Sequence, residues 1–162
     1  MAHWAKINDE GIVENIIVTS NDEPDEGESW IAENLDGVWV KTSYNTRKNA
    51  HSLGGEPLRK NFAQPGFTYD AELDAFIPPK AEDEADFVLN PELGIWVPPV
   101  PAPEDADVIV QYGPDVVEIP EGAKVYFWIA EQGIWGMAPN TPRPEGEFTW
   151  DPIAKEWVEA SL

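Results

Sequence analysis

Cysteine is absent from the 162 residues, and the only histidines are His3 and His51. Without thiols there is no disulfide framework and no thiolate metal site, and redox chemistry gives no reading of the compartment. The two histidines stand in no metal-ligand spacing, so no cofactor is expected from them. Cations are scarce too: ten Lys and Arg face 31 Asp and Glu, a net charge of −21. Such a chain is repelled by nucleic acid and by anionic membranes, which argues against both as partners. Proline and aromatics interrupt the acids, so a solvated acidic surface is preferred to a mimic of nucleic acid. No apolar run is long enough to cross a bilayer, and no basic-then-apolar opening reads as a secretory signal.

What the chain does have is sixteen prolines and eight tryptophans. Proline separates elements, and each Trp brings a large apolar surface to a small one. The combination predicts a mainly β protein of many short elements rather than one aliphatic core. The length suits one ordinary domain or two small ones.

A short phrase recurs. FTYDAELDAFI, FVLNPELGIWV and FTWDPIAKEWV share an aromatic start, an apolar third residue, Asp or Asn fourth, and an aromatic–aliphatic end. Looser copies begin at Val108 and Tyr126, so the starts are 67, 87, 108, 126 and 148, a period near twenty. The phrase predicts a β-hairpin with a four-residue loop. Asp70, Asn90 and Asp151 stand where a side-chain oxygen can close a turn; Pro91 and Pro152 take the next position, and Gly94 and Gly133 the last. The register sets Tyr69 opposite Phe76, Leu89 opposite Trp96, Val110 opposite Val117, Trp128 opposite Trp135 and Trp150 opposite Trp157. Such pairs contribute about 0.2–1 kcal/mol each, too little for an isolated hairpin. The aromatic faces must therefore rest on neighbouring units or on another protein. The tryptophans are read as packed hairpin cores in preference to a row of sugar-stacking platforms.

Upstream, AKINDEGIVENIIV reads as a hairpin with its turn at Gly11, SWIAENL as a short helix and GVWVKTS as a strand. Residues 1–43 thus form a small α+β unit of order β-β-α-β. Residues 44–66 are a polar, loop-like connection, and residues 67–162 are about five hairpin repeats joined by proline-rich spacers. Segment 41–66 holds half of the cations: Lys41, Arg47, Lys48, Arg59 and Lys60, with His51 among them. Arg47, Lys48, His51, Arg59 and Lys60 are candidates for docking on an acidic partner surface. The plainer reading is an extended connection whose cations pair with nearby carboxylates. No phosphate loop, calcium loop or nucleophile–base pattern is present, and the chain is not expected to be an enzyme.

The stretch SYNTRKNAHSLGGEPLRKNFAQPGFTYDAELDAFIPPK resembles small virion-associated proteins of cyanobacterial phages. Members of that group carry an opening like MAHWAKINDEGIVENIIV, then YNTR…H…GG…LRKN(F/Y)A…G(F/Y)TYD, the DAFIPP hairpin, a W-x-P-P hairpin and a terminal F/Y-T-W-D…W-V-E. All five landmarks stand in this chain; residues 100–147 depart from the pattern by two further units. The resemblance implies a structural role on a phage particle, without catalysis. The leading expectation is a capsid decoration or cement protein on the head exterior, bound to the major capsid protein, with a homo-oligomer possible. The alternatives are a tail-fibre, baseplate or knob component binding a partner fibre or a host glycan, and a host-takeover protein binding a basic target. Attachment is expected to spread over several weak apolar contacts in series.

Overall fold

The computed structural model describes residues 1–112 and 118–160. The protein is mainly β, with several small antiparallel hairpin sheets. It divides into two compact units: Met1–Ala85 with Leu89–Trp96, and Asp86–Val88 with residues 97–162.

In the first unit, Ala2–Ile7 (β1) and Val13–Thr19 (β2) pair antiparallel, with a bulge between Lys6 and Ile7. Asn8 closes their turn: its Oδ1 accepts the backbone N–H groups of Glu10 and Ile12 at 3.0 and 2.9 Å. Gly11, at φ 82°, supplies the left-handed step. A 3-10 turn at Pro24–Gly27 leads into the helix Glu28–Asn34 (α1), and Val38–Thr42 (β3) returns antiparallel to β1, giving the order β2-β1-β3.

The central strand buries both faces, and its period of two sorts the core. Ala2 and Trp4 pack with Ile31 of α1, backed by Ile17, Leu35 and Trp39. Ala5 and Ile7 face the other way, onto Val13, Ala63 and Phe76, backed by Ile16, Val40, Phe67 and Tyr69. The approach of the 3-10 turn to β2 demands glycine: a Cβ on Gly27, at φ 92°, would lie 2.7 Å from Thr19 Cβ. Trp4 Nε1 donates across the same junction to Thr19 Oγ1 and to the Glu26 carbonyl, both at 3.2 Å.

Residues 44–66 are more ordered than their composition suggests. Thr46–Arg47 (β4) and Ala50–His51 (β5) make a minimal hairpin around Lys48 and Asn49, both left-handed at φ 48° and 56°. That is the sign a two-residue hairpin turn requires, but without its usual glycine. Thr42 Oγ1 accepts the Ala63 N–H at 2.8 Å, and Thr46 Oγ1 accepts the Leu58 N–H at 3.0 Å. Thr42, Thr46 and Asn61 are all buried. Thr68–Asp70 (β6) and Ala75–Ile77 (β7) form the next hairpin, and Val88–Asn90 (β8) and Ile95–Val97 (β9) a further two-stranded sheet.

In the second unit, Val108–Ile109 (β10) lies parallel to Val125–Ile129 (β11), which pairs antiparallel with Ile134–Met137 (β12). Phe148–Asp151 (β13) and Glu156–Glu159 (β14) close the chain as a separate hairpin. The expected hairpin at Val108 is corrected here. Val110 and Gln111 enter a 3-10 turn, Val110–Tyr112, instead of continuing a strand. The proposed partner Val117 lies outside the described residues. Gln111 cannot close a tight turn as Asp or Asn does; its Oε1 reaches out to accept the Trp128 backbone N–H at 3.0 Å.

Candidate functional site

Four connections end on a left-handed residue, and three of them are closed by a side-chain oxygen. Asp70 Oδ1 accepts the N–H groups of Glu72 and Leu73, Asn90 Oδ1 those of Glu92 and Leu93, and Asp151 Oδ1 those of Ile153 and Ala154, all at 2.9–3.0 Å. These two bonds hold the Asp151 carboxyl below the usual carboxylate range. The last loop residue is left-handed in every case: Asp74, Gly94, Gly133 and Lys155. In three of the loops its N–H also closes on the carbonyl of the residue before the loop, from Gly94 to Asn90, Gly133 to Ile129 and Lys155 to Asp151. In the fourth connection Ile129 contributes no side-chain oxygen, so this backbone bond and Gly133 hold the turn.

This turn sets the cross-strand register. Tyr69 lies opposite Phe76, Trp128 opposite Trp135 and Trp150 opposite Trp157, with ring centroids 5.2–5.4 Å apart. The two Trp pairs meet edge to face at 66° and 72°, the arrangement that the ring quadrupole favours. Leu89 and Trp96 stand on the two strands of the β8–β9 sheet.

Each hairpin tryptophan spends its indole N–H on chain outside its own hairpin. Trp96 donates to the Pro78 carbonyl at 2.8 Å, Trp135 to Val100 at 3.0 Å and Trp150 to Met137 at 2.6 Å. Trp128 donates to Asp86 Oδ2 at 3.1 Å, and Trp157 to the carbonyl and hydroxyl oxygens of Thr141 at 3.3 and 3.2 Å. Lys80 sits 4.7 Å above the Trp96 ring. Proline has no N–H but keeps its carbonyl, and spacer carbonyls at Pro78, Val100 and Thr141 serve as acceptors for three of these five indoles. The spacers are thereby clasped to the hairpins rather than strung out between them.

The basic segment is put largely to internal use. Arg59 and Lys60 are both left-handed, at φ 52° and 62°. Arg59 Nη1 donates to the Lys41 carbonyl at 2.9 Å, and its Nε lies 3.1 Å from Asp74 Oδ1, an ion pair without hydrogen-bond alignment. Lys60 Nζ donates to the Pro91 carbonyl, and Lys41 pairs with Glu26. His51 Nδ1 accepts the N–H groups of Leu53 and Gly55 at 3.2 Å, which fixes its tautomer. Arg47 is exposed. Burial, and then the Arg47 charge beside it, lower the Lys48 pKa from its ordinary value.

Composition concealed Asn61. It is buried, its Nδ2 donates to the Phe76 and Gly94 carbonyls at 2.9 Å each, and its Oδ1 accepts the Lys48 N–H at 2.9 Å. A lone polar residue in a polar segment carries no signal of such a role. In the second unit a charge-assisted chain runs Lys124–Asp105–Tyr126–Lys155. Lys124 lies 3.0 Å from Asp105, the buried Tyr126 hydroxyl donates to Asp105 at 3.2 Å, and Lys155 donates to that hydroxyl at 2.7 Å. The Lys124 hydrogen bond is the main cause of the lowered Asp105 pKa. An open hollow of about 490 Å³ is lined by Asp107, Glu118 and Glu121 with Val108 and Pro120. Among the described residues no group of three His, Asp or Glu side chains could hold a metal ion, and no helix is long and apolar enough to cross a membrane.

Comparison with known proteins gives no match: no family model fits the chain, and neither a curated protein nor a solved structure aligns with it.

Proposed function

We propose that the chain is a non-enzymatic structural protein of a phage virion, acting as a decoration or cement protein on the capsid exterior. The observation that carries this reading is the clasped hairpin array. Small modules stiffened by indole-to-carbonyl bonds, in a chain with no cysteine for a disulfide, suit a protein laid over a particle. The sequence resemblance to virion-associated proteins of cyanobacterial phages supports the same role, and a charge of −21 suits a surface turned to solvent. Aliphatic side chains left exposed on and beside the hairpins, including Val88, Val100, Ile153 and Val158, offer apolar contacts to a capsid protein. Several such contacts on one stiff chain would add through effective concentration.

Quantitative mass spectrometry of purified particles tests the proposal. Copy numbers approaching the number of capsomers support decoration. A few to some dozens of copies move the protein to a tail fibre, baseplate or knob. Absence from particles overturns the virion role in favour of an intracellular target.

A further inference from the structure

We infer that the outer edge of β2 docks an extended strand of another protein, aliphatic at its centre and basic at both ends. β2 is an edge strand of the β2-β1-β3 sheet. Its first residue is already covered: Val13 N–H donates to the Phe67 carbonyl at 2.8 Å and its carbonyl accepts from Gly66 at 2.9 Å. Past the bulge the edge opens. Ile16 N–H bonds the Oδ1 of its own neighbour Asn15 at 2.9 Å, so Ile16 directs its backbone away from β1. Antiparallel strands alternate, so Val18 does the same. Among the described residues, the Asn15 side chain supplies the hydrogen bond found on the outward side of this stretch of backbone.

Edge strands are ordinarily guarded by Lys, Pro or an inward charge. Here residues 15–21, NIIVTSN, carry no charge at all, in a chain a quarter of whose residues are charged. The one guard is Asn15, which a carbonyl of an incoming strand would displace by accepting the Ile16 N–H. Val18 is 51% exposed, and His3, its partner on β1, lies in a ring cluster with Tyr44 and Phe62 at centroid distances of 5.9 and 5.5 Å. Tyr44 is 68% exposed, so this cluster provides an aromatic wall for alternate side chains of the added strand.

Charge selects the occupant. Exposed Asp9, Glu10 and Glu14 precede the uncharged run, and exposed Asp22 and Glu23 follow it. Carboxylates at both ends of an apolar edge complement basic residues at both ends of an apolar strand. A second copy fits poorly: antiparallel pairing of two β2 strands would carry Glu14 of one toward the Asp22–Glu23 end of the other.

The test titrates the isotope-labelled full chain with a synthetic nine-residue peptide bearing two lysines at each end of a threonine, valine and isoleucine centre. The expected result is saturable amide shifts centred on Ile16–Thr19 and His3. Val18→Lys and the combined Glu14→Gln, Asp22→Asn, Glu23→Gln variant each weaken binding about tenfold or more, whereas Asn15→Ala, which removes the guard, tightens it. Retained amide dispersion in each variant shows that the fold is intact. No saturable shift, shifts centred elsewhere, or equal binding of a glutamate-ended peptide overturns the inference. So does a concentration-dependent dimer that Val18→Lys abolishes, because the edge then belongs to a second copy.

Discussion

Lys155, the left-handed last residue of the final hairpin loop, places its ammonium 2.7 Å from the hydroxyl of Tyr126 on β11 and 4.9 Å from the centre of that ring. Asp74 holds the same loop position in the first hairpin and is tied to Tyr69 Oη at 2.7 Å and to Arg59. Where this position is not glycine, the side chain that bears the backbone strain is one that makes a tertiary contact. Lys155→Ala keeps the strain and loses the contact, and is expected to cost about 0.5–1.5 kcal/mol. Lys155→Gly loses the contact but relieves a left-handed residue, worth about 1 kcal/mol, and should stay near wild type. Denaturant unfolding that ranks alanine at or above glycine would contradict this account.

Asn61 is expected to be the most sensitive polar position in the first unit. Asn61→Ala strands two carbonyls and one N–H in a buried setting, at about 1–3 kcal/mol for each unsatisfied group. A loss of about 3 kcal/mol or more is expected, with faster amide exchange at Lys48. A loss below about 1 kcal/mol would mean that water replaces the side chain.

The indole clasps can be probed one at a time. Trp96→Phe, Trp135→Phe and Trp150→Phe retain an aromatic ring but remove the donor together with part of the indole's packing area. Each should cost about 1 kcal/mol. Limited proteolysis should then show earlier cutting in the segment that was held, near Pro78, Val100 or Met137 respectively. Unchanged cutting in all three would leave the clasps without mechanical consequence.

The acid side of the stability profile follows from Asp151 and Asp105, whose folded pKa values are depressed. Each contributes stability that is complete above the unfolded value of about 3.9 and is lost as pH falls through the folded value. The second unit should therefore weaken below about pH 4. Asp151→Asn keeps the acceptor, as Asn90 does naturally, and should flatten its share of that dependence. An unaltered pH profile in this variant would show that the turn does not depend on ionised Asp151.

Attachment can be tested by removing hairpins. Truncation after Ala106 should weaken particle binding much more than any single Trp→Ala change if contacts are multivalent. Equal binding by the truncated chain would overturn the multivalent picture and assign attachment to residues 1–106.

The hairpins were legible in the sequence because their information is local. Asp or Asn at the fourth position, a glycine or tolerated left-handed residue four places on, and aromatics on either side determine turn and register within eleven residues. The acidic surface, set by composition, was equally plain. Tertiary structure decided what those local rules leave open. Pattern alone made residues 44–66 a connection, because the burial of Thr42, Thr46 and Asn61 depends on partners 12 to 33 residues away in the chain. It also made Val108 the start of a hairpin, whereas the strand found there pairs in parallel with one seventeen residues later. The clasps were invisible for a related reason. An indole N–H must find an acceptor once its ring is covered, but only the path of the folded chain settles which spacer carbonyl comes within reach.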